Sequence, residues 1–344
     1  MRYPTAIGAA LRLVPFQLLP PLGNGVPAVN IGDWGNGWDD PWKVGTALGR
    51  ALLIACLVAG RAHAQDWGDT PYVQTPQNVV DTMLEIAKVG PGDTVIDLGS
   101  GDGRMVITAA KKYGARGFGV DLDRKLVALA NRNAAKAGVA DRAVFYQRDL
   151  HATDVSSATV MSIYLLPEVN LMIRSRLLAT LRPGTRIVSH DYGMGEWPPD
   201  YQTELAAPGK TVGIGERSKI YYWMVPGRAA GRWVWRLAPD GKPVEFELAL
   251  QQKFQVIEGT LKAGGSTARV ESARLAGESI AFAAVVDGTR YEFSGRITNH
   301  AIEGRARVIR GAEARELAWS ATRTEIWEPR HASLTTEQAL KEIH

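Results

Sequence analysis

The sequence predicts an α/β chain: a doubly wound, mostly parallel sheet followed by a small all-β antiparallel barrel or sandwich. Two patterns carry this prediction. Over residues 72–225 short apolar runs alternate with amphipathic stretches, as in a parallel sheet covered by helices on both faces. From Gly231 to Arg323 the period falls to two, with turn residues recurring at about 8–12 positions. The length of 344 residues allows roughly two domains. At 45% hydrophobic and 22% charged residues the composition is globular and excludes collagen-like, coiled-coil and wholly disordered chains.

The elements follow in order. Thr75 is placed to cap a helix opening at Pro76, with Val79, Val80, Met83, Leu84 and Ala87 on one face and Gly90-Pro91-Gly92 as its stop. Thr94–Leu98 is the first strand, followed by a glycine turn and a helix through Lys112. Gly117–Asp121 is the second strand. Arg124–Ala137 is a helix stopped at Gly138, and Ala143–Gln147 is the third strand. Thr159–Leu165, a helix over Glu168–Leu181, a turn at 182–185 and the strand Arg186–His190 complete the alternation. Ser218–Val225 reads as a late strand adding antiparallel at the edge. Further strands are expected over Trp233–Leu237, Val244–Leu250, Phe254–Leu261, Ala268–Leu275, Ile280–Val286, Tyr291–Ile297, Ile302–Val308 and Leu317–Ala321. Trp233, Trp235 and Trp319 either fill the core of this second part or mark a binding mouth, and core is the commoner use. Ser320 has no glycine elbow and no nearby histidine, so the part reads as an accessory or recognition module.

Charge and side-chain chemistry narrow the functional classes. Forty Lys+Arg against 36 Asp+Glu give a net charge of +4, with the signs mixed and no basic stripe, so nucleic acid is not an expected partner. The single cysteine, Cys56, excludes disulfide scaffolds and cysteine-based zinc sites. The six histidines have no ligand spacing, so no protein-held metal is expected.

Residues 1–43 form an irregular extension rich in Gly, Pro, Asn and Trp. After Lys43 and Arg50 comes the apolar run Ala51–Gly60 and an Ala-x-Ala ending at Ala64, so residues 44–65 have the pattern of a secretory signal peptide. The run is too short for a membrane span, which needs about 20 apolar residues. A signal normally opens a chain, so translation starting near Val44 is one expectation, with residues 1–43 then not translated. Leu53-Ile54-Ala55-Cys56 also resembles a lipoprotein cleavage box. The apolar stretch continues past Cys56, which ranks lipidation second. The flanking basic residues point the following domain out of the cytoplasm, to the periplasm or envelope. The expected domains are 66–227 for the sheet and 228–328 for the β module, with 329–344 as a tail.

The strongest local signal is Val95-Ile96-Asp97-Leu98-Gly99-Ser100-Gly101-Asp102-Gly103-Arg104. A dinucleotide fingerprint would need its third glycine where Arg104 stands, and Asp97 and Asp102 would repel a pyrophosphate at the helix N-terminus. The ligand must approach a glycine backbone closely and favour negative charge. A sulfonium bearing an α-amino group does both. Asp121, about 20 residues beyond the glycine turn, is placed to accept from both hydroxyls of a ribose. Asp149, past the third strand, can accept from an adenine amine.

With these residues in place the chain resembles the class I (seven-β-strand) S-adenosylmethionine-dependent methyltransferases. The resemblance is carried by DLGSGDGR (97–104), GVDLD (119–123), YQRDL (146–150) and LRPGTRIV (181–188), colinear over less than half of the chain. It implies a Rossmann-like methyltransferase sheet. Pro71-Tyr72-Val73-Gln74-Thr75-Pro76 before the first helix, with the Asp-Gly inside GSGDGR, is similar to bacterial relatives of the ATP synthase c-subunit lysine methyltransferases. In that family this segment closes over the methionine end of the cofactor, which implies that Tyr72 and Thr75 lie near the methyl group. The implied cofactor-binding set is Tyr72, Thr75, Asp97, Gly99, Ser100, Gly101, Asp102, Gly103, Asp121 and Asp149, with S-adenosylmethionine as the cofactor.

Methyl transfer is an in-line displacement in which the cofactor carries the electrophile and the protein mainly aligns the partners. The end of the fourth strand faces the acceptor in this fold, and here it reads Tyr164-Leu165-Leu166-Pro167-Glu168-Val169-Asn170. It lacks the Asn/Asp-Pro-Pro-Tyr pattern used on amide and adenine nitrogens. Tyr164, Glu168 and Asn170 are therefore the candidates to orient an acceptor amine. Glu168 and Asn170 equally suit an exposed first helical turn, and His190-Asp191 suits either a base or a packing role. Trp197-Pro198-Pro199 reads as a rigid lip over the pocket or as a turn. The leading expectation is a methyltransferase whose acceptor, protein or small molecule, is open, with protein lysine as the guess. The alternative is an exported, non-catalytic binding module on the same fold. The signal-like segment points out of the cytoplasm, to the periplasm or envelope, whereas S-adenosylmethionine is made inside, which leaves the cytoplasm open as the second expectation.

Overall fold

A computed structural model of the chain describes residues 72–212 and 215–333. The signal-like segment, the extension before it and the last residues of the expected tail lie outside the described residues. Helix α1 (Gln77–Ile86) buries Val79, Val80, Met83 and Leu84, the apolar face that its periodicity predicts. It ends where Lys88 takes a left-handed φ of 48° ahead of the Gly-Pro-Gly stop. Thr75 does not cap it. Pro76, which has no side-chain acceptor, is the boundary residue, and Thr75 is engaged by Arg104 through its carbonyl and by His190 through its hydroxyl.

Seven strands form the first sheet: β1 (Thr94–Leu98), β2 (Arg116–Asp121), β3 (Ala143–Gln147), β4 (Val160–Ile163), β5 (Arg186–His190), β6 (Tyr201–Ala206) and β7 (Arg217–Met224). They lie in the order β3-β2-β1-β4-β5-β7-β6. The first five pair in parallel, and β7 joins β5 antiparallel. The edge position expected for β7 belongs to β6. That strand was not visible in the sequence because Tyr201–Ala206 has one exposed face and no apolar run. Helices α2 (Arg104–Tyr113), α3 (Arg124–Lys136) and α4 (Pro167–Thr180) complete the alternation. Asp123 caps α3 by accepting from the Lys125 and Leu126 amides, and Pro167 opens α4 at its first position. Gly117 has no side chain because a Cβ there would lie 1.9 Å from the Val95 carbonyl oxygen.

The second sheet has nine strands: β8 (Gly231–Leu237), β9 (Val244–Lys253), β10 (Val256–Ala263), β11 (Ser266–Arg269), β12 (Glu271–Ala276), β13 (Ser279–Val286), β14 (Thr289–Ile297), β15 (Ala301–Arg310) and β16 (Glu313–Ile326). Each pairs antiparallel with its neighbour in the order β11-β10-β9-β8-β16-β15-β14-β13-β12. The stretch expected as one strand, Ala268–Leu275, is two. The chain breaks at buried Val270, leaving β11 on one end of the sheet and β12 on the other. The two ends are thus consecutive in sequence, and the sheet curls into a nearly closed barrel. Trp235, Phe246, Phe293 and Trp319 fill it, with Trp235 stacked on Phe246 at 5.2 Å and Phe293 against Trp319 at 4.8 Å. The tryptophans serve the core, including Trp233, which is fully buried.

Both sheets belong to one compact unit. The turn between β9 and β10 plugs the barrel into the first sheet. Phe254 is held at φ 56° and only 1% exposed, and it stacks on Trp197 at 5.9 Å and on His331 at 4.7 Å. The amide N–H of Phe254 donates to His331 Nδ1 at 2.7 Å, so the start of the expected tail takes part in the joint. Gln255 accepts from Trp197 Nε1 at 2.9 Å and donates to the Pro198 carbonyl at 2.7 Å. Trp197 is therefore no lip over a pocket: it is wholly buried between Trp223 and Phe254. Truncating a buried aromatic costs about 3–5 kcal/mol. Phe254→Ala should lower the urea midpoint of this unit accordingly. Val256→Ala, two residues on at a 55% exposed side chain, should change stability by no more than about 0.5 kcal/mol. Equal effects would mean that the ring does not dock the barrel.

Candidate active site

Between Leu98 and Arg104 the chain turns from β1 straight into α2, and three glycines take left-handed φ values to do so: Gly99 at 77°, Gly101 at 51° and Gly103 at 84°. Each also admits a neighbour. A Cβ would lie 2.8 Å from Leu165 Cδ2 at Gly99 and 2.4 Å from Tyr72 Cε2 at Gly101. At Gly103 it would lie 2.6 Å from Phe145 Cζ. Tyr72 thus lies over the glycine turn. Arg104 binds Asp102 through Nε (2.9 Å to Oδ1) and Nη2 (2.7 Å to Oδ2), and its Nη1 donates to the Thr75 carbonyl at 2.6 Å. This pair ties the segment before α1 to the loop. Burial opposes ionisation of Asp102, but the Arg104 fork outweighs it and holds the carboxyl below the ordinary range.

Three carboxylates stand at the C-terminal ends of the first three strands: Asp97 and Asp121 within the last residues of β1 and β2, and Asp149 two residues past β3. Asp121 Oδ2 accepts from the Gly101 amide and Oδ1 from the Asp123 amide, both at 2.9 Å. Each oxygen retains a second acceptor lone pair for a diol. Asp149 is exposed and accepts from the His151 amide at 2.8 Å. Asp97 is only 7% exposed. Burial raises its pKa, a hydrogen bond with Ser162 lowers it, and the nearby charges of Asp121 and Asp102 raise it again, to about 7. Ser100 Oγ is buried with no hydrogen-bond partner among the described residues. A cradle of bare glycine backbone, an unpaired buried hydroxyl and converging carboxylates suits a ligand with positive charge and hydroxyl groups. It is ill-suited to a pyrophosphate.

The ends of β4 and β5 lie beside this loop. Tyr164 follows β4, packs on the His190 ring at 4.0 Å and lies near-parallel to Tyr192 at 6.4 Å. Its hydroxyl donates to Asp191 Oδ2 at 3.4 Å. Burial, reinforced by the Asp191 charge, pushes its ionisation well above the ordinary tyrosine range, so it stays a neutral donor. Thr75 Oγ1 meets His190 Nδ1 at 3.2 Å, and His190 Nε2 meets Ser218 Oγ at 2.7 Å. With both nitrogens engaged, and burial as the main cause of a pKa lowered to about 4, His190 is a packed neutral ring and no general base. Asn170 cannot orient an acceptor. It is fully buried, and its amide donates to the Tyr192 and Gly193 carbonyls at 3.3 and 3.2 Å. Glu168 stays partly buried in the first turn of α4. Sequence reasoning missed Lys210 and Tyr192, which no motif marks. Lys210 Nζ lies 2.7 Å from Asp191 Oδ2 although 19 positions separate the two in sequence.

A strand order of 3-2-1-4-5-7-6 with an acidic glycine turn after β1 defines a class I methyltransferase sheet, and comparisons with known proteins agree. Residues 97–201 match the model of the ANTKMT methyltransferase domain, which ends before the barrel. Over 130 residues the chain is 45% identical to a protein-lysine N-methyltransferase of Saccharolobus islandicus, covering 38% of this chain and 81% of that protein. It is 30% identical over 133 residues to the human (Homo sapiens) ATP synthase c-subunit lysine N-methyltransferase, covering 39% of this chain and 56% of the relative. The match thus spans little more than half the length of that relative. Among solved structures, an RNA methyltransferase from Salinibacter ruber in complex with S-adenosyl-L-homocysteine shares 48% identity. The match covers 44% of this chain and 94% of that one, with a TM-score of 0.41. The chain belongs to the class I S-adenosylmethionine-dependent methyltransferases, the family of the archaeal relative.

Gly101→Ala tests the cradle. A methyl there would collide with the Tyr72 ring and sit at a left-handed φ, so S-adenosylmethionine binding measured by calorimetry should weaken at least about tenfold (about 1.4 kcal/mol). In a Tyr72→Ala background the same change should cost less. Additive losses would mean that Tyr72 does not close on the turn.

Proposed function

We propose that this chain transfers a methyl group from S-adenosylmethionine to the side-chain amine of a protein lysine. The observation that carries the reading is the acidic glycine cradle of Gly99, Gly101, Asp97 and Asp121 in a chain whose archaeal and vertebrate relatives are named lysine methyltransferases. When bound, the cofactor supplies a sulfonium methyl that an acceptor nitrogen attacks in line, the new C–N bond forming as the C–S bond breaks. The protein's residues hold and align. Asp121 would accept from the ribose hydroxyls, and Asp97 would balance the cationic methionine end. Ser100 Oγ would gain a partner, Tyr72 covers the turn, and Asp149 would accept from the adenine amine. Tyr164 borders the acceptor and donates from a neutral hydroxyl. Thr75 acts one step removed, fixing the His190 ring on which Tyr164 packs. Glu168 keeps the role of a candidate at the acceptor's approach. A neutral amine needs no strong base, which suits a site whose histidine is packed away.

Transfer of labelled methyl from S-adenosylmethionine to cell proteins, followed by acid hydrolysis, should put the label in methyl-lysine. Label in RNA or in a small molecule instead would sink the lysine reading. Cofactor binding with no transfer would favour the non-catalytic alternative.

Asp97 makes cofactor affinity pH-dependent. A cationic ligand favours its carboxylate form, so below about pH 7 binding must expel a proton. Affinity should therefore rise with pH, by up to about tenfold per unit below that point, and level off above it. Calorimetry from about pH 5.5 to about pH 8.5 in buffers of different ionisation enthalpy reads the proton release. Asp97→Asn should flatten the profile, and an unchanged slope in that variant would assign the effect elsewhere.

For residues 44–65 the proposal is export with cleavage after Ala64, against retention where the cofactor is made. N-terminal sequencing of the native protein should begin at Gln65. A peptide from residues 1–40 would rule out a start near Val44.

A further inference from the structure

Asp191 has a place and a posture that the cofactor cradle does not explain. It is the first residue past β5, and it is not glycine, yet its backbone sits at φ 61°. Aspartate tolerates this left-handed region better than most side chains, and non-glycine residues held there cluster at functional sites. The surrounding backbone enforces the conformation. The Asp191 amide donates to the Lys219 carbonyl at 2.8 Å, and Asp191 Oδ1 accepts from the Lys219 amide at 3.1 Å. One carboxylate oxygen is thereby fixed to β7. The other, Oδ2, is presented to Tyr164.

That second oxygen has three polar neighbours: the Tyr164 hydroxyl at 3.4 Å, Lys210 Nζ at 2.7 Å and, more distantly, the neutral His190 ring through Nε2 at 3.5 Å. The Lys210 ammonium also donates to the Arg217 carbonyl at 2.6 Å, and its side chain is only 4% exposed. The carboxylate is thus part of a small cation-binding group made of one anion and one backbone carbonyl, with the Tyr164 hydroxyl on the same carboxylate oxygen. All of this stands where the ends of β4 and β5 meet the glycine turn: Leu165, next to Tyr164, is the residue that closes on Gly99. The bound cation is chemically a lysine side chain, which is the acceptor class proposed above.

We infer that Asp191 Oδ2 and Tyr164 form the subsite that first receives the acceptor lysine as its ammonium, which gives up a proton to water before the neutral nitrogen attacks, and that Lys210 of the same chain occupies this subsite as an internal stand-in. This rests on the lysine reading of the proposed function. An incoming lysine must displace Lys210, so the chain competes with its own acceptor. If Lys210 holds the carboxylate about nine-tenths of the time, the apparent affinity for the acceptor falls about tenfold below the intrinsic value. The contact selects for a cation while keeping the carboxylate neutralised between turnovers.

The experiment uses the full chain with a lysine-bearing peptide as acceptor and n-butylammonium as the smallest competing cation. Lys210→Met keeps the apolar stem and removes the ammonium. It should lower KM for the peptide about tenfold, with kcat and cofactor affinity little changed. Butylammonium, weak against the parent protein, should inhibit this variant more strongly by a similar factor. Lys210→Arg keeps the pairing and should give neither gain. In an Asp191→Asn background Lys210→Met should bring no improvement, because the oxygen they compete for has lost its charge. A KM that rises or stays level in Lys210→Met, with cofactor binding intact, would overturn the inference and make Lys210 a strut between Asp191 and Arg217. The two failures are separable: label absent from lysine defeats the lysine reading, whereas label on lysine with an unimproved Lys210→Met defeats only the stand-in.

Discussion

The turn from β1 into α2 is the constraint on which the rest of the molecule depends. Six residues after Leu98 the chain is already helical, and the reversal is made only by alternate left-handed residues at 99, 101 and 103. A turn that tight exposes backbone amides, and Asp121 takes one of them, the Gly101 N–H. The carboxylate can do so because β2 pairs with β1 in parallel with Leu98 opposite Val120, which brings the end of β2 level with the turn. Strand register, glycine positions and the acidic residue are one requirement. Any side chain at Gly99 or Gly101 would displace Leu165 or Tyr72, which belong to the other walls of the same cleft.

The wall of the cleft past β5 is built differently, and the barrel is part of it. Residues 191–200 link β5 to β6 with no helix or strand and a single bridge, Met194 to Trp197, so much of their conformation is set by neighbours. Asn170 and Arg174, both buried on α4, donate to the carbonyls of Tyr192, Gly193 and Met194. From the other direction Phe254 and Gln255 clasp Trp197 and Pro198. Trp223 of β7 donates to the Trp197 carbonyl at 3.0 Å. The stretch that begins with Asp191 and Tyr192 is therefore clamped between a helix of the first sheet and a turn of the second. This gives the β module a positioning role that requires no ligand of its own, in keeping with an interior packed by aromatic rings.

What could be read from the sequence was whatever local pattern decides. The parallel strands, their helices and the glycine turn follow from period, cap and stop signals. Ala143–Gln147 and Arg186–His190 are strands with the boundaries that their apolar runs give. The failures share a cause, a tertiary partner overriding a local signal. Thr75 has the chemistry of a helix cap, yet the Arg104 contact to its carbonyl and the His190 contact to its hydroxyl hold it off the helix. Asn170 looks like a polar residue on an exposed first turn and is wholly buried, because the loop above it needs donors. Trp197 beside two prolines resembles a surface turn until Phe254, 57 positions later, arrives to stack on it. Ala268–Leu275 alternates as one strand, and only barrel closure breaks it at Val270. The Lys210–Asp191 contact has no sequence signature, since a lysine and an aspartate that far apart are ordinary until the sheet brings β5 and β7 together.

The carboxylates of the cleft differ in how the resting protein neutralises them, and the difference follows their surroundings. Asp102 has a permanent partner: Arg104 is two residues away on the same turn and locked by the Thr75 carbonyl, so the pair is a strut. Asp97 has no cation among its named partners, and burial with two like charges nearby makes a proton its counter-charge near neutral pH. Asp191 is met by an ammonium from a different part of the chain. A proton is exchangeable, and the inferred displacement of Lys210 would make the ammonium so too, whereas the arginine fork is fixed on its own turn. The residues expected to meet cationic ligands are thus the ones whose neutralising partners can leave, and the residue that holds the loop together has the partner that cannot.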